Sequence, residues 1–207
     1  MAGLPLSINV DDYLERAESV ILPSYPDAAA AVSDPPTGEL YTGADLGTAY
    51  LVLVVLNQDL QPVAGEYQFA EVVRDGLVVD FIGAIDRLKA MKERVEERIG
   101  RKLKHAASGY PPGVPKVEVR ATASVIEAAG FDCSSLIAEP SAANNVLHLE
   151  NSAIIDVGGG TTGISVIKNG QVVYTADEPT GGTHFSLVIA GALGISFEEA
   201  EELIKKP

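Results

Sequence analysis

Two stretches of this 207-residue chain place an acid, glycine and threonine in the same order. One is Gly43-Ala44-Asp45-Leu46-Gly47-Thr48, and the other is Asp156-Val157-Gly158-Gly159-Gly160-Thr161-Thr162-Gly163. Glycine lets backbone N–H groups turn toward an anion with no Cβ in the way. Threonine adds a hydroxyl donor. The leading carboxylate would repel a phosphate, so its natural work is to hold a hydrated divalent cation. Either stretch alone is a turn in most proteins. Two copies, each beside an apolar strand, suggest two hairpins gripping one phosphate tail, and an internal duplication. A third stretch, Glu139-Pro140-Ser141-Ala142-Ala143-Asn144, lies at a strand-to-helix junction. Glu139 there either complements the dipole of a first helical turn or orients an attacking water. Gly181-Gly182-Thr183 opens another helix and suits an anion at its N-terminus.

These loops need elements to hold them. Residues 11–22 read as a helix with Asp12 and Glu15 at capping-box spacing. Residues 23–38, with Pro23, Pro26, Pro35, Pro36 and four successive alanines, read as a linker, so the ordered body is expected to begin near Leu40. Tyr50–Leu56 is a buried-strand run, Val63–Val73 one or two more strands, and Asp75-Gly76 a turn. Ile85, Leu88, Met91, Val95, Ile99 and Leu103 recur at helical spacing within a helix of about residues 80–103. A strand 104–110, a helix 121–129, a strand 135–138 and a helix opened by Pro140 follow. Strands 153–157, 163–168 and 171–175 come next, the last two joined by Asn169-Gly170, a strong hairpin signal. A helix 183–193 and a last helix capped by Ser196 and Glu199 complete the order. Mixed strands and helices with glycine-rich strand exits predict an α/β protein that binds its ligand at these loops.

Composition narrows the function. The chain has 15 basic and 29 acidic side chains, a net charge of −14, which disfavours nonspecific nucleic-acid or anionic-membrane binding. One cysteine, Cys133, excludes an intramolecular disulfide and a cysteine-cluster metal site. No apolar run reaches the ~18 residues of a membrane span. No basic residue precedes the first apolar ones, so a secretory leader is not expected. Residues 1–40 hold seven acids and one base, whereas residues 85–104 hold eight bases and four acids. The basic face of that helix is either solvated, with local ion pairs, or a docking face for an acidic partner such as the chain's own N-terminus.

The order Asp-x-Gly-Thr, Glu-Pro-Ser-Ala-Ala-Asn, Asp-Val-Gly-Gly-Gly-Thr-Thr-Gly, Gly-Gly-Thr-His-Phe-Ser resembles the actin-like ATPase superfamily of Hsp70 chaperones and bacterial cell-shape filament proteins. Val73–Phe81, the turn Tyr110-Pro111-Pro112-Gly113, Ser165–Lys168 and Ala176-Asp177-Glu178 narrow the resemblance to the ethanolamine-utilization EutJ family. The resemblance implies an actin-like ATPase (ribonuclease H-like) fold: mixed β-sheets flanked by helices. It implies a first lobe with a reduced insertion at 39–150 and a partial second lobe at 151–207, behind an acidic N-terminal helix and linker at 1–38. It implies ATP and Mg²⁺ as ligands. Asp45 and Asp156 would hold Mg²⁺ through water. Gly47, Thr48, Gly158, Gly159, Gly160 and Thr161 would contact the phosphates, Glu139 would position the hydrolytic water, and Gly181 and Gly182 would lie near the nucleotide. It further implies a bacterial cytoplasmic, chaperone-like protein, self-association as an option, and a partner among ethanolamine-pathway enzymes or microcompartment proteins.

Three departures from the superfamily pattern stand out: Gly163 stands where many relatives carry an acid, His184 stands where Hsp70-type chains carry one, and no lysine corresponds to the Hsp70 catalytic lysine. Only 44 residues follow Gly163 (207 − 163). The second lobe is therefore expected to lack its nucleoside wall and to expose apolar surface. Two other readings follow: a same-fold scaffold with weak or no nucleotide binding, and a small-molecule kinase of the superfamily.

Overall fold

A computed structural model describes residues 9–24, 35–74 and 77–204. Most of the expected linker, including Pro26 and the alanine run, and the Asp75-Gly76 turn lie outside the described residues. The chain opens with α1 (Val10–Val20) and β1 (Ile21–Pro23), then β2 (Tyr41–Leu46), β3 (Tyr50–Leu56) and β4 (Pro62–Phe69). The short pair β5 (Val73–Arg74) and β6 (Leu77–Val78) precedes α2 (Phe81–Ile99), β7 (His105–Tyr110), α3 (Lys116–Ala128), β8 (Asp132–Ala138) and α4 (Glu139–Leu147). The hairpin strands β9 (Asn151–Val157), β10 (Thr162–Lys168) and β11 (Gln171–Glu178) follow, then α5 (Gly182–Leu193) and α6 (Phe197–Ile204).

Six strands form one sheet in the order β1-β4-β3-β2-β7-β8. Strands β4, β3 and β2 are antiparallel neighbours, and β2, β7 and β8 run parallel. Period-two patterning sends Leu51, Leu53 and Val55 of β3 to one face, where Leu88, Met91, Val95 and Ile99 of α2 and Val125 and Ile126 of α3 close the core. The second sheet is antiparallel, β11-β10-β9. Asn169 and Gly170 turn its hairpin with φ of 51° and 73°, the left-handed pair that a two-residue turn requires. One face of this sheet exposes Ile155, Val157, Val166 and Tyr174.

Element ends depart from the sequence reading where backbone chemistry overrides periodicity. Helix α2 stops at Ile99 because Gly100 turns left-handed (φ 67°) and gives its N–H to the Glu96 and Glu97 carbonyls. Helix α3 starts at Lys116, earlier than its apolar stripe, with Glu118 N–H bonded to the Pro115 carbonyl at 2.9 Å. The cap of α1 is Asn9, whose side chain accepts from Asp11 N–H, so the Asp12–Glu15 box is corrected. The Ser196–Glu199 box forms in both directions, at 2.9 and 3.1 Å.

The N-terminal reading needs the larger correction. The ordered body begins before Leu40: Ile21–Pro23 pair in parallel with Gly65–Tyr67 of β4 and form the edge of the sheet. Helix α1 is tied to the start of β4 and the loop before it by Tyr13 Oη to the Leu60 carbonyl (3.1 Å) and Arg16 Nε to the Pro62 carbonyl (3.1 Å). The basic side of α2 is not simply solvated. Arg94 bonds the buried Glu66 carboxylate and, at 3.3 Å, Ser24 Oγ. Arg98 is buried and donates to the carbonyls of Gly65 and Val20, and Arg101 to that of Pro36 at 2.8 Å. Among the described residues, the helix meets the N-terminal segment through carbonyls and a serine rather than through its acids.

Candidate functional site

The three parallel strands β2, β7 and β8 end at the same edge of the first sheet, the crevice where open α/β sheets bind ligands. Asp45 sits one residue before the end of β2, and Pro111 follows β7. Glu139 is the first residue of α4, directly after β8, held there because Pro140 fits the helix's opening turn. A Cβ on Gly109 of β7 would stand 3.0 Å from Glu139 Cγ, so this glycine leaves room for the glutamate's stem. Helix α4 then reaches the second sheet. Asn144 clamps that junction, accepting Leu149 N–H at 2.8 Å and donating to the carbonyls of Leu149 and Gly170.

From the second sheet, β9 brings Asp156 to the same crevice, and the loop 158–161 folds back through the Gly158 N–H to Thr161 carbonyl bond (2.9 Å). The two hairpin loops touch. A Cβ on Gly159 would stand 2.6 Å from Ala49 Cβ, and one on Gly160 2.6 Å from Thr48 Cγ2. On Gly47 it would meet the Tyr50 carbonyl at 2.7 Å. Real Cβ atoms do not approach that closely, so glycine at 159 and 160 is what lets the loops meet, and at 47 what lets the first hairpin turn. This refines the sequence reading of Gly159: its bare backbone serves loop-to-loop approach.

Between the loops lies a cavity of about 220 Å³, lined by Asp45, Gly47, Thr48, Glu139, Asp156, Gly158–Thr161 and Gly163. Leu46, Ala49, Tyr50, Val73 and Pro111 complete the wall. The carboxylates shape its electrostatics. Loss of hydration between the loops, then the charge of Asp156, pushes Asp45 up to about 6. Asp45 still keeps surface open to the cavity, so protein surrounds this carboxylate without sealing it from water. Glu139 is pushed up to about 7 by desolvation, then by Asp45, Asp156 and Asp177. The structure thus collects every expected loop residue but two. Gly181 and Gly182 do not line the cavity, and the N–H groups at the start of α5 are already used. Gly182 and Thr183 donate to the carbonyls of Gly158 and Gly159 (2.8 and 2.9 Å), and Gly181 donates to His184 Nδ1 (3.1 Å). At this helix start the donors brace the second loop, and His184 closes the helix's first turn.

Sequence reasoning missed Gly109 and Asp177. Gly109 carries no local signal, since only the strand pairing places it beneath Glu139. Asp177 lies on β11 in register with Gly163, a relation the hairpin turn Asn169-Gly170 encodes.

The family described as MreB/Mbl protein matches residues 63–196. The ethanolamine utilization protein EutJ of Escherichia coli (strain K12) is 42% identical over 189 residues, covering 89% of this chain. The crystal structure of ethanolamine utilization protein EutJ from Carboxydothermus hydrogenoformans is 40% identical, with a TM-score of 0.83 over 95% of this chain and 70% of that one. The chain belongs to the EutJ family of the actin-like ATPase superfamily. It spans 66% of the length of the Escherichia coli EutJ. The structure of MreB 5 of Spiroplasma citri bound to AMPPNP is 22% identical and shares the fold, with a TM-score of 0.64 over 82% of this chain and 63% of that one. The EutJ relatives and the MreB structure agree with the expected mixed α/β, actin-like architecture. Among the described residues no helix is long and apolar enough to cross a membrane.

Proposed function

We propose that this chain holds the phosphate tail of Mg·ATP between its two glycine–threonine hairpins, as a nucleotide-dependent switch. The convergence of Asp45, Glu139 and Asp156 with both loops on one cavity carries the reading. The donor set suits the cation. It offers hard oxygen ligands, and among the described residues no three metal-binding side chains cluster tightly enough to wrap a bare ion. Asp45 and Asp156 would hold Mg²⁺ by its water shell, as magnesium prefers. When bound, the cation supplies positive charge against the phosphates. Thr48 and Thr161 offer hydroxyls and loop N–H groups. Glu139, placed near neutrality, is suited to hold a water and accept its proton. The cavity is smaller than the roughly 300–1,000 Å³ of a typical ligand pocket, which matches a phosphate tail and cation rather than a whole nucleotide.

In this reading the first sheet, which takes in β1 as well as the expected lobe at 39–150, and the second sheet, from 151 onward, would be two lobes joined through α4 that a bound phosphate tail bridges. Closure read by a partner would make the chain chaperone-like. The names of its EutJ relatives direct that role to ethanolamine utilization, with a pathway enzyme or microcompartment protein as partner in the bacterial cytoplasm. Calorimetric titration of Mg·ATP tests the reading. Saturable heat is expected, and phosphate release in the same samples separates an ATPase from a switch.

A further inference from the structure

In the second sheet, Gly163 of β10 is paired in register with Asp156 of β9 on one side and Asp177 of β11 on the other. Register partners in an antiparallel sheet share a face. Asp156 lines the cavity, so Asp177 is presented to the same side, two strands away. Gly163 has no side chain between them. A Cβ there would stand 3.8 Å from Asp177 Oδ1 and 3.9 Å from Asp156 Cβ, which is ordinary contact. This glycine is therefore not forced by crowding, as Gly159 and Gly160 are. It leaves a small gap between two carboxylates at a buried backbone position. Across the crevice, the charge of Asp177 is felt at Glu139 together with those of Asp45 and Asp156.

We infer that Asp177 is a further positioning residue of the site, a carboxylate that reaches past Gly163 to order the cation's water shell beside Asp156. The inference rests on the cation reading proposed above. The gap at Gly163 would take one water of that shell, and the carboxylate comes from β11 because β10 supplies none. Such a residue acts on the cation and on the water beneath Glu139 without touching the nucleotide.

The test titrates Mn²⁺ alone, followed by the resonance of the free ion, and Mg·ATP by calorimetry, into the wild type, Asp177→Asn and the transposed pair Gly163→Asp with Asp177→Asn. Removing the carboxylate is expected to weaken Mn²⁺ binding about tenfold, the usual low end for a group acting through a metal's outer shell. The transposed pair is expected to recover most of that loss, because it returns a carboxylate to the same gap. A purely structural role for Asp177 would not be rescued so, and a loss without rescue overturns the inference. Equal Mn²⁺ and Mg·ATP affinities in wild type and Asp177→Asn overturn it as well. If the Mn²⁺ pattern holds but Mg·ATP gives no heat in any variant, the nucleotide reading fails and the role of Asp177 stands.

Discussion

The backbone of Gly160 passes so close to Thr48 that a Cβ on the glycine would stand 2.6 Å from the threonine's Cγ2. The two loops, one from each sheet, are fitted to each other before any ligand arrives. A methyl at 160 must push the first loop away or distort the second. Gly160→Ala is thus expected to weaken Mg·ATP binding by at least about tenfold through displaced donors. Gly163→Ala, whose Cβ meets only ordinary contacts and leaves both loops in place, is expected to lose less than Gly160→Ala. Calorimetry on the pair checks this, and equal losses would show that the loops do not need their close approach.

The raised carboxyls make stability depend on pH in a definite sense. Asp45 titrates near 6 and Glu139 near 7 in the folded chain, against 3.8 and 4.5 unperturbed. Between these ranges the folded state holds more protons than the unfolded one, so their contribution falls as pH rises from about 4 to about 7. Without divalent cation, Glu139→Gln is expected to melt higher than the wild type at neutral pH and to show a shallower fall across that window. Mg²⁺ is expected to reduce the difference. Parallel melting curves for the two proteins would show that the carboxylates do not press on one another.

The latch between α2 and the N-terminal edge should be asymmetric. Glu66 is buried, whereas Arg94 is about half as exposed as a free side chain or less, at 38%. Arg94→Ala leaves the buried Glu66 carboxylate with the Ser24 hydroxyl and no bonded cation, and is expected to cost about 3 kcal/mol. Glu66→Gln leaves Arg94 free to reach water and is expected to cost about 1 kcal/mol. Urea unfolding of both variants and the double one checks the order. Adding Arg94→Ala on top of Glu66→Gln is expected to cost little more.

What the sequence disclosed was mostly local. The hairpin at Asn169-Gly170, the Ser196–Glu199 box and the order of the two acid–glycine–threonine loops each depend on a few adjacent residues. The misses were non-local. Three residues ending in Pro23 became a strand only because the edge of β4 was open to them. Arg98 looked like a surface charge until two carbonyls from distant segments met it. That the second loop's own carbonyls take the Gly182 and Thr183 N–H groups was likewise hidden in the sequence. Asp177 was quoted only as part of a resemblance, since its place beside Gly163 is set by strand register.

The central claim is that both loops and their acids hold one cation-bound phosphate tail. Titrating Mg·ATP into the wild type and into Asp45→Ala tests it most directly. Saturable heat is expected in the wild type, with affinity lowered by at least about tenfold in the variant, as for lost charge-assisted contacts. No heat in the wild type, or equal heat in both, would contradict the account.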